Sequence, residues 1–156
     1  QRMQDLRDYD QPDGNTMRFN YKLTEMQAAI GRVQLARLPT FLARRRCIAA
    51  RYHDALAQVN CQRPADTADG VHAYYRYVIQ VPASCPETVD QYMTQLDRQG
   101  IACRRPVSRP IHQLLGLTTC PGADAVFDRA LSIPIYPTLT DQASASVMDA
   151  VHEVIR

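Results

Sequence analysis

The chain has 156 residues, with 18 Lys plus Arg against 16 Asp plus Glu and a formal net charge of +2. A composition of 46% apolar and 22% charged residues is typical of a globular domain with one hydrophobic core. No run approaches the roughly 20 apolar residues that cross a bilayer, and the first residues lack the apolar segment of a signal peptide. We therefore predict a cytoplasmic protein with no membrane partner.

Arginine greatly outnumbers lysine among the basic residues, because Lys22 is the only lysine and all the others except histidine are arginines. The densest basic cluster is Arg44–Arg46 with Arg51. A nucleic-acid-binding domain would need a basic patch on one face, whereas helical geometry spreads this short cluster over more than one face. We interpret the cluster as solvated helix surface and predict no nucleic-acid partner.

The cysteine pattern argues against both a disulfide framework and a metal site. The five cysteines are widely spaced and form no Cys-x-x-Cys pair. His112 and Cys120 have no metal-ligand spacing with the remaining candidates. We predict reduced thiols, as in the cytoplasm, and no bound metal.

The first third of the chain is predicted to be helical. Residues 1–9 have the pattern of the end of a helix, and the segment 11–15 breaks it with Pro and Gly. A long amphipathic stretch follows, starting at Thr24, which has capping-box spacing to Gln27. Its apolar residues at steps of three and four predict a buried face made of Leu23, Met26, Ile30 and Val33.

The helical pattern continues past Pro39, which is predicted to kink the helix or to start a second one. Beyond it, the apolar stripe is made of Phe41, Leu42, Ile48, Tyr52 and Leu56. The sequence therefore predicts a long pair of helices with one continuous apolar face.

The remaining residues alternate between strand and helix patterns, with turns marked by Pro and Gly. We predict strands over 75–81 and 101–105, an extended segment over 132–137, a proline-punctuated loop over 106–116, and helices over 86–99, 123–130 and 141–156. Gly100 is predicted to stop the first of these helices and Thr140 to cap the last. Few strands separated by helices predict an α/β domain, with a modest sheet covered by helices on one side.

One segment carries a distinctive motif. Residues 20–31 read Asn-Tyr-Lys-Leu-Thr-Glu-Met-Gln-Ala-Ala-Ile-Gly. This segment resembles the N-[YFG]-[RK]-[ML]-[TS]-E-[LMI]-Q-A-A-[IL]-G signature of the DegT/DnrJ/StrS family of sugar aminotransferases, which depend on pyridoxal phosphate (PLP). Further blocks resemble the family in the family's order, at 34–38, 44–52, 72–78, 100–101, 110–112 and 131–137.

The resemblance implies an architecture. The chain would be the small C-terminal domain of a fold-type I PLP transferase, a long kinked helix pair plus a small, mainly antiparallel sheet covered by helices. Residues 1–19 would be a remnant of the large PLP-binding domain with its connecting loop. Residues 20–58 would form the interdomain helices, and 59–156 the small α/β domain.

The resemblance also implies an activity. Members of the family form homodimers with active sites at the subunit interface, and they transfer an amino group from glutamate or glutamine to a nucleotide-linked keto-sugar. Such reactions belong to amino-sugar and polysaccharide biosynthesis. The implied cofactor is PLP.

The lysine that holds PLP in this family is expected upstream of Gln1, so we expect this chain alone to be inactive and to bind no PLP. Lys22 lacks the Ser-x-x-x-x-Lys context of that lysine. A lysine that reacts with a carbonyl at neutral pH needs desolvation, whereas a basic residue beside a helix start suits an anion.

Four residues match family positions with roles at the site. Asn20 would contact the PLP phosphate of the partner subunit, although an Asn before a helix also forms turns. Lys22 would face the substrate phosphates or be a solvated surface residue, and Tyr21 would stack on the substrate or pack. His112 would hydrogen-bond a sugar or phosphate oxygen, or anchor its own loop.

Two further positions resemble the family only loosely. Arg104 and Arg105 follow Gly100 and Ile101, where the family often has a basic residue close to the substrate. The next loop, 105–109, departs from the family's H-[YF]-P arrangement, so the sequence identifies no particular sugar.

Two alternatives without catalysis stay open. The chain could be a stand-alone regulatory module that binds DNA through Arg44–Arg46. It could also be a dimerisation module built on the apolar face of the long helices.

Overall fold

A computed structural model of the chain describes residues 2–7, 17, 19–65, 70–118 and 120–155. These residues divide into two compact units, residues 1–39 and 40–156, which we describe separately. The predicted domain limits at 19/20 and 58/59 remain predictions.

The first unit contains helix α1 (Arg2–Arg7) and the first half of helix α2 (Glu25–Ala55). The α2 helix begins where the sequence predicts. The Thr24 hydroxyl accepts a bond from the Gln27 amide (3.2 Å), and the Gln27 side chain accepts one from the Thr24 amide (3.0 Å). This reciprocal pair satisfies two amides at the helix start and so fixes the first turn.

The prediction of a second helix at Pro39 is wrong, because α2 continues through Pro39 as one helix of 31 residues. A proline inside a helix removes one backbone hydrogen bond. The ordinary helical bonds on either side of this position are enough to continue the helix.

The predicted buried face of the first half of α2 is exposed. Leu23, Met26, Ile30 and Val33 are 58–76% exposed. The periodicity correctly indicates one apolar face, but none of the described residues of the first unit buries it. We call these four residues the exposed apolar stripe.

The second unit contains the hydrophobic core. The end of α2 contributes Ile48, Ala49 and Tyr52, which are fully buried, and the short 3-10 helix η1 (Leu56–Gln58) contributes Leu56. This half of the predicted apolar stripe is therefore buried as expected, with Phe41 and Leu42 half-buried at its start.

The core lies against an antiparallel pair of strands, β1 (Tyr77–Gln80) and β2 (Ala130–Ile133). The register pairs Tyr77 with Ile133 and Ile79 with Leu131, and these four side chains point into the core. Successive strand residues point to opposite faces of a sheet. The second face therefore consists of Val78 and Gln80 on β1 and Ala130 and Ser132 on β2, and we call it the open face.

The edges of the strands are joined by single bridges. Gln62 and Gln80 exchange two backbone bonds (2.8 and 2.9 Å), and so do Arg104 and Ser132 (3.1 and 2.8 Å). The predicted strand 101–105 is therefore reduced to one bridging residue. The predicted extended segment 132–137 is shifted, since strand pairing covers 130–133 and stops before Pro134, which has no amide proton to donate.

Helices α3 (Val89–Arg98) and α6 (Asp141–Val154) pack their apolar faces into the same core. Thr88 caps α3 and Thr140 caps α6 as N-terminal residues, the second as predicted. Gly100 follows α3 with φ of +79°, a conformation that favours glycine and confirms it as the stop.

Two short helices complete the described residues, α4 (Ile111–Leu114) and α5 (Pro121–Phe127). The sequence predicts only a loop at α4, and it places α5 two residues late. The whole is a mixed fold of helices with a small antiparallel sheet, which confirms the predicted fold class at that level. None of the described helices combines the length and apolar character that crossing a membrane requires.

Candidate functional site

Three of the four predicted site residues lie together in the first unit. Asn20, Tyr21 and Lys22 form an exposed segment between α1 and α2, in which the Tyr21 amide donates to the Phe19 carbonyl (3.0 Å) and so closes a tight turn at Asn20. The segment is held by a bond from the Phe19 amide to the Leu6 carbonyl (2.9 Å) and by stacking of the Phe19 and Tyr21 rings, whose centroids lie 5.1 Å apart. The stacked pair fixes the backbone on both sides of Asn20.

This segment leads directly into the N-terminus of α2. The first amides of a helix point toward incoming anions, and the helix dipole favours negative charge there. Asn20 and Lys22 add an amide donor and an ammonium group within five residues of that end. The Glu25 carboxylate, in the first turn, opposes an anion, so binding depends on these two side chains outweighing it.

His112 lies in the second unit, on α4. It is 8% exposed, and its Nε2 lies 2.9 Å from Asp124 Oδ1. The same oxygen accepts a bond from the Gln113 side chain (2.6 Å). These contacts tie α4 to α5, so His112 has the contacts of a loop anchor, the second of its two predicted roles. Its role toward a substrate remains a prediction.

The two loosely matched arginines have different surroundings. Arg105 forms an ion pair with Asp90 (3.1 Å), donates to the Phe127 carbonyl and lies 4.5 Å from the centroid of the Phe127 ring. Arg104 is exposed, and its guanidinium contacts no carboxylate in the described part of the chain. Arg105 is therefore committed to packing, whereas Arg104 is available to a ligand.

The arginine cluster of α2 is not simply solvated surface, which corrects the interpretation from sequence. Arg44 pairs with Asp141 (2.8 Å) and donates to the Leu139 carbonyl. Arg45 donates from Nη1 to the carbonyls of Tyr74, Tyr75 and Ile135, at 2.9, 3.0 and 3.0 Å. The two side chains hold loops of the second unit against α2.

The Asp141 carboxylate has a second partner, because Arg51 lies 2.6 Å from the same oxygen that contacts Arg44. Hydrogen bonds from Arg51 and Arg44 lower the pKa of Asp141 to about 2. The carboxylate at the start of α6 is thereby kept ionised between two arginines of α2.

A cluster of aromatic rings around His53 was not found from the sequence. The Tyr77 hydroxyl lies 2.8 Å from His53 Nδ1, and the Tyr74 hydroxyl lies 3.2 Å from Nε2. Tyr74 has φ of +46°, an unusual conformation for a bulky residue, and its amide donates to His72 Nδ1 (2.8 Å). Burial raises the pKa of Tyr77 well above its usual range. The cluster positions Tyr75, which stays exposed.

The sequence matches the DegT/DnrJ/EryC1/StrS aminotransferase family over residues 3–152. The chain belongs to this family. The match covers nearly the whole chain, so it includes the Asn20–Lys22 segment, the α2 helix and the core of the second unit.

Solved structures are consistent with this membership. DesV of S. venezuelae, solved in complex with a ketimine intermediate, is 29% identical with a TM-score of 0.84; the match covers 97% of this chain and 43% of that one. For the aminotransferase TlmJ of Streptoalloteichus hindustanus, the identity is 27%, the TM-score 0.80, and the coverage 90% and 39%. PseC of Helicobacter pylori, at 18% identity, shares the fold with a TM-score of 0.83 over 98% and 45%.

The chain spans about two fifths of the length of the family members to which it is similar. It contains one lysine, Lys22, whose side chain is exposed. A lysine that reacts with the aldehyde of PLP needs desolvation, so the exposed Lys22 suits an anionic group such as a substrate phosphate better than that aldehyde. Asn20, an uncharged amide donor shortly before a helix N-terminus, fits the phosphate of the cofactor. In the described ranges, no group of three or more His, Cys, Asp or Glu could hold a metal ion.

Proposed function

We propose that this chain is the C-terminal part of a PLP-dependent aminotransferase that acts on a nucleotide-linked keto-sugar. The match over residues 3–152 carries the proposal. Amino-sugar and polysaccharide biosynthesis would be the setting, with glutamate or glutamine as amino donor. The free state of the five cysteines supports a cytoplasmic location.

When bound, PLP supplies the electron sink that allows an amino group to leave one carbon and join another. In this proposal, the chain's own contribution is to bind phosphate groups. Asn20 donates its amide to the phosphate of the cofactor held by the partner subunit, and Lys22 neutralises the phosphates of the substrate. Tyr21, stacked on Phe19, presents its ring next to both.

The lysine that reacts with the cofactor is expected in the remaining part of the protein. We therefore propose that this chain alone carries no transaminase activity. The protein that contains it would show a visible PLP absorbance band and would convert a keto-sugar nucleotide to the amino sugar with glutamate or glutamine.

The experiment compares variants within that longer protein. We expect Asn20→Ala to raise the dissociation constant of PLP about tenfold or more, because a hydrogen bond to a charged phosphate contributes about 1.5–3 kcal/mol. Asn60→Ala, on an exposed residue after η1, is the matched control and should leave PLP binding unchanged. Equal PLP affinity in both variants would show that Asn20 only shapes the turn.

In the same longer protein, the role of Lys22 in substrate binding can be distinguished from a role in PLP binding. Lys22→Gln should raise the KM for the nucleotide sugar and leave the absorbance of bound PLP intact. Arg98→Gln, at an exposed position on α3, removes the same charge elsewhere. An amino product formed by the 156-residue chain alone would overturn the proposed division of roles.

The exposed apolar stripe supports a second component of the proposal, the homodimer. Three large apolar side chains on one face of α2, with Leu23 just before the helix and each more than half exposed, are typical of a surface that another protein surface covers. In the proposed enzyme this cover comes from the large domain or the partner subunit. The alternative, a dimerisation module without catalysis, predicts that the chain itself dimerises through the same stripe.

Sedimentation distinguishes these cases. If the chain is a dimer that Met26→Glu and Ile30→Glu convert to a monomer, the stripe is sufficient for dimerisation. A monomer that is unchanged by both substitutions supports a cover provided by the rest of the enzyme. Binding of random duplex DNA at low salt would instead favour the regulatory alternative.

A further inference from the structure

The open face of the sheet carries a pocket in which basic and hydroxyl side chains meet. The pocket has a volume of about 240 Å³ and is lined on the sheet by Arg76, Arg104 and Ser132. Arg76 directly precedes β1, Ser132 lies on β2, and Arg104 bridges β2 on its other side. The pocket therefore spans three adjacent segments of the second unit.

Strand alternation explains why these side chains converge. Val78 pairs with Ser132, and Arg104 pairs with Ser132 from the opposite edge, so the three residues share one face. Arg76 lies two residues before Val78 and joins the same face. Arg76 and Arg104 lie on opposite sides of β2, two strand spacings or roughly 10 Å apart across the sheet, a distance that two extended arginine side chains can span toward a common ligand.

The charged side chains that line the pocket are all positive. No Asp or Glu is among its described lining residues, and neither Arg76 nor Arg104 pairs with a carboxylate in the described part of the chain. A second pocket on the open face shares Arg76 and adds Arg63 and His72, again with no described carboxylate. An anion here would meet two guanidinium groups without a competing negative charge.

Ser132 adds a hydroxyl to the pocket. Its residue is only 9% exposed, yet its hydroxyl has no hydrogen-bond partner in the described ranges, although it lines the pocket. No buried side-chain oxygen of the described residues lacks a partner, so this hydroxyl is reached by solvent and can donate to a ligand in the pocket. The exposed Tyr75 lies at the rim, 5.7 Å from the Arg76 guanidinium, and can contribute a second hydroxyl.

We propose that this pocket binds the phosphate group of a small phosphorylated molecule. Two planar guanidinium groups and a hydroxyl offer more donors than the two oxygens of a carboxylate accept, whereas a terminal phosphate has three oxygens that share its charge. The site lies entirely within the second unit. It does not depend on the proposed transaminase activity, which could fail while phosphate binding stands.

The test is an NMR titration of the isotope-labelled 156-residue chain at low salt, first with pyrophosphate and then with inorganic phosphate. We expect saturable shifts of the Arg76 and Arg104 side-chain Nε–H signals and of the Ser132 amide. Arg76→Gln and Arg104→Gln should each weaken binding about tenfold or more, because each removes charge-assisted bonds. Arg98→Gln, which removes the same charge from α3, should change the affinity less than twofold.

Glutamate at the same ionic strength is the comparison ligand for a carboxylate. Thermal unfolding shows whether each variant is folded, which is expected because both pocket arginines are exposed. The proposal is overturned if pyrophosphate and phosphate do not bind, if Arg98→Gln weakens binding as much as the pocket variants, or if glutamate binds more tightly than either phosphate.

Discussion

Arg45 offers a sharp test of how the second unit is held together. Its Nη1 faces the carbonyls of Tyr74, Tyr75 and Ile135, which come from two segments distant in sequence. The substitution Arg45→Met keeps much of the aliphatic length and removes every donor. It leaves three carbonyls without their partner next to Tyr74, the residue with positive φ.

The expected loss of stability follows from counting donors. One nitrogen carries two protons, so three carbonyls share the equivalent of two hydrogen bonds. We assign each bond a net contribution of about 1 kcal/mol, which is less than bonds to charged groups usually contribute, because Arg45 is half-exposed and water can replace the guanidinium. Two bonds then contribute about 2 kcal/mol. For a chain of this length, that corresponds to a decrease in Tm of roughly 4–8 °C.

The assay is urea unfolding followed by far-UV circular dichroism, with Arg46→Met as the matched control. Arg46 is exposed and makes one long bond, 3.3 Å, to the His72 carbonyl. We expect the control to lower the free energy of unfolding by less than about 0.5 kcal/mol. Equal losses in the two variants would refute the role of Arg45, since the neighbouring guanidinium would then be equivalent to it.

Three other predictions follow from burial and charge. Leu96→Ala should lower the free energy of unfolding by about 2–5 kcal/mol, because Leu96 is fully buried, whereas Leu35→Ala, at 68% exposure, should change it by less than about 0.5 kcal/mol in the same urea assay. The pKa of Asp141 is lowered to about 2, so the ionised carboxylate contributes its full stabilisation above the usual pKa of 3.8 and loses it as the pH falls toward 2. The free energy of unfolding should therefore depend less on pH across that range in Asp141→Asn than in the unchanged chain. The same pH dependence in both proteins would contradict the ion pairs. Burial raises the pKa of Cys103 to about 12, whereas Cys47 is exposed. Iodoacetamide should therefore alkylate Cys47 well before Cys103, as followed by mass spectrometry. Equal alkylation rates would argue against the burial of Cys103.

Local signals made several elements predictable. The capping box of Thr24 and Gln27 marks the first residue of α2, and the hydroxyl of Thr140 marks the start of α6. Gly100 ends a helix because it readily adopts positive φ. Each of these signals depends on residues within four positions of one another, and so it is contained in the local sequence.

Long-range contacts were not predictable in the same way. Three consecutive arginines in a helix give no sign that the second one faces three carbonyls, since those carbonyls come from residues about 30 and 90 positions away. The exposed apolar stripe shows the same limit, because periodicity indicates an apolar face without indicating whether this chain covers it. Ser132 lies within a family block, but its position on a pocket wall depends on the pairing of β2 with two other segments.

The two single bridges at the edges of the sheet have a consequence for aggregation. In a strand of four residues, two point their backbone groups toward each edge. Gln62 occupies one of the two on the outer edge of β1, and Arg104 occupies one of the two on the outer edge of β2. Neither edge therefore offers a row of free amides long enough to template a strand from another molecule, and the positive charge of Arg104 further disfavours a second copy.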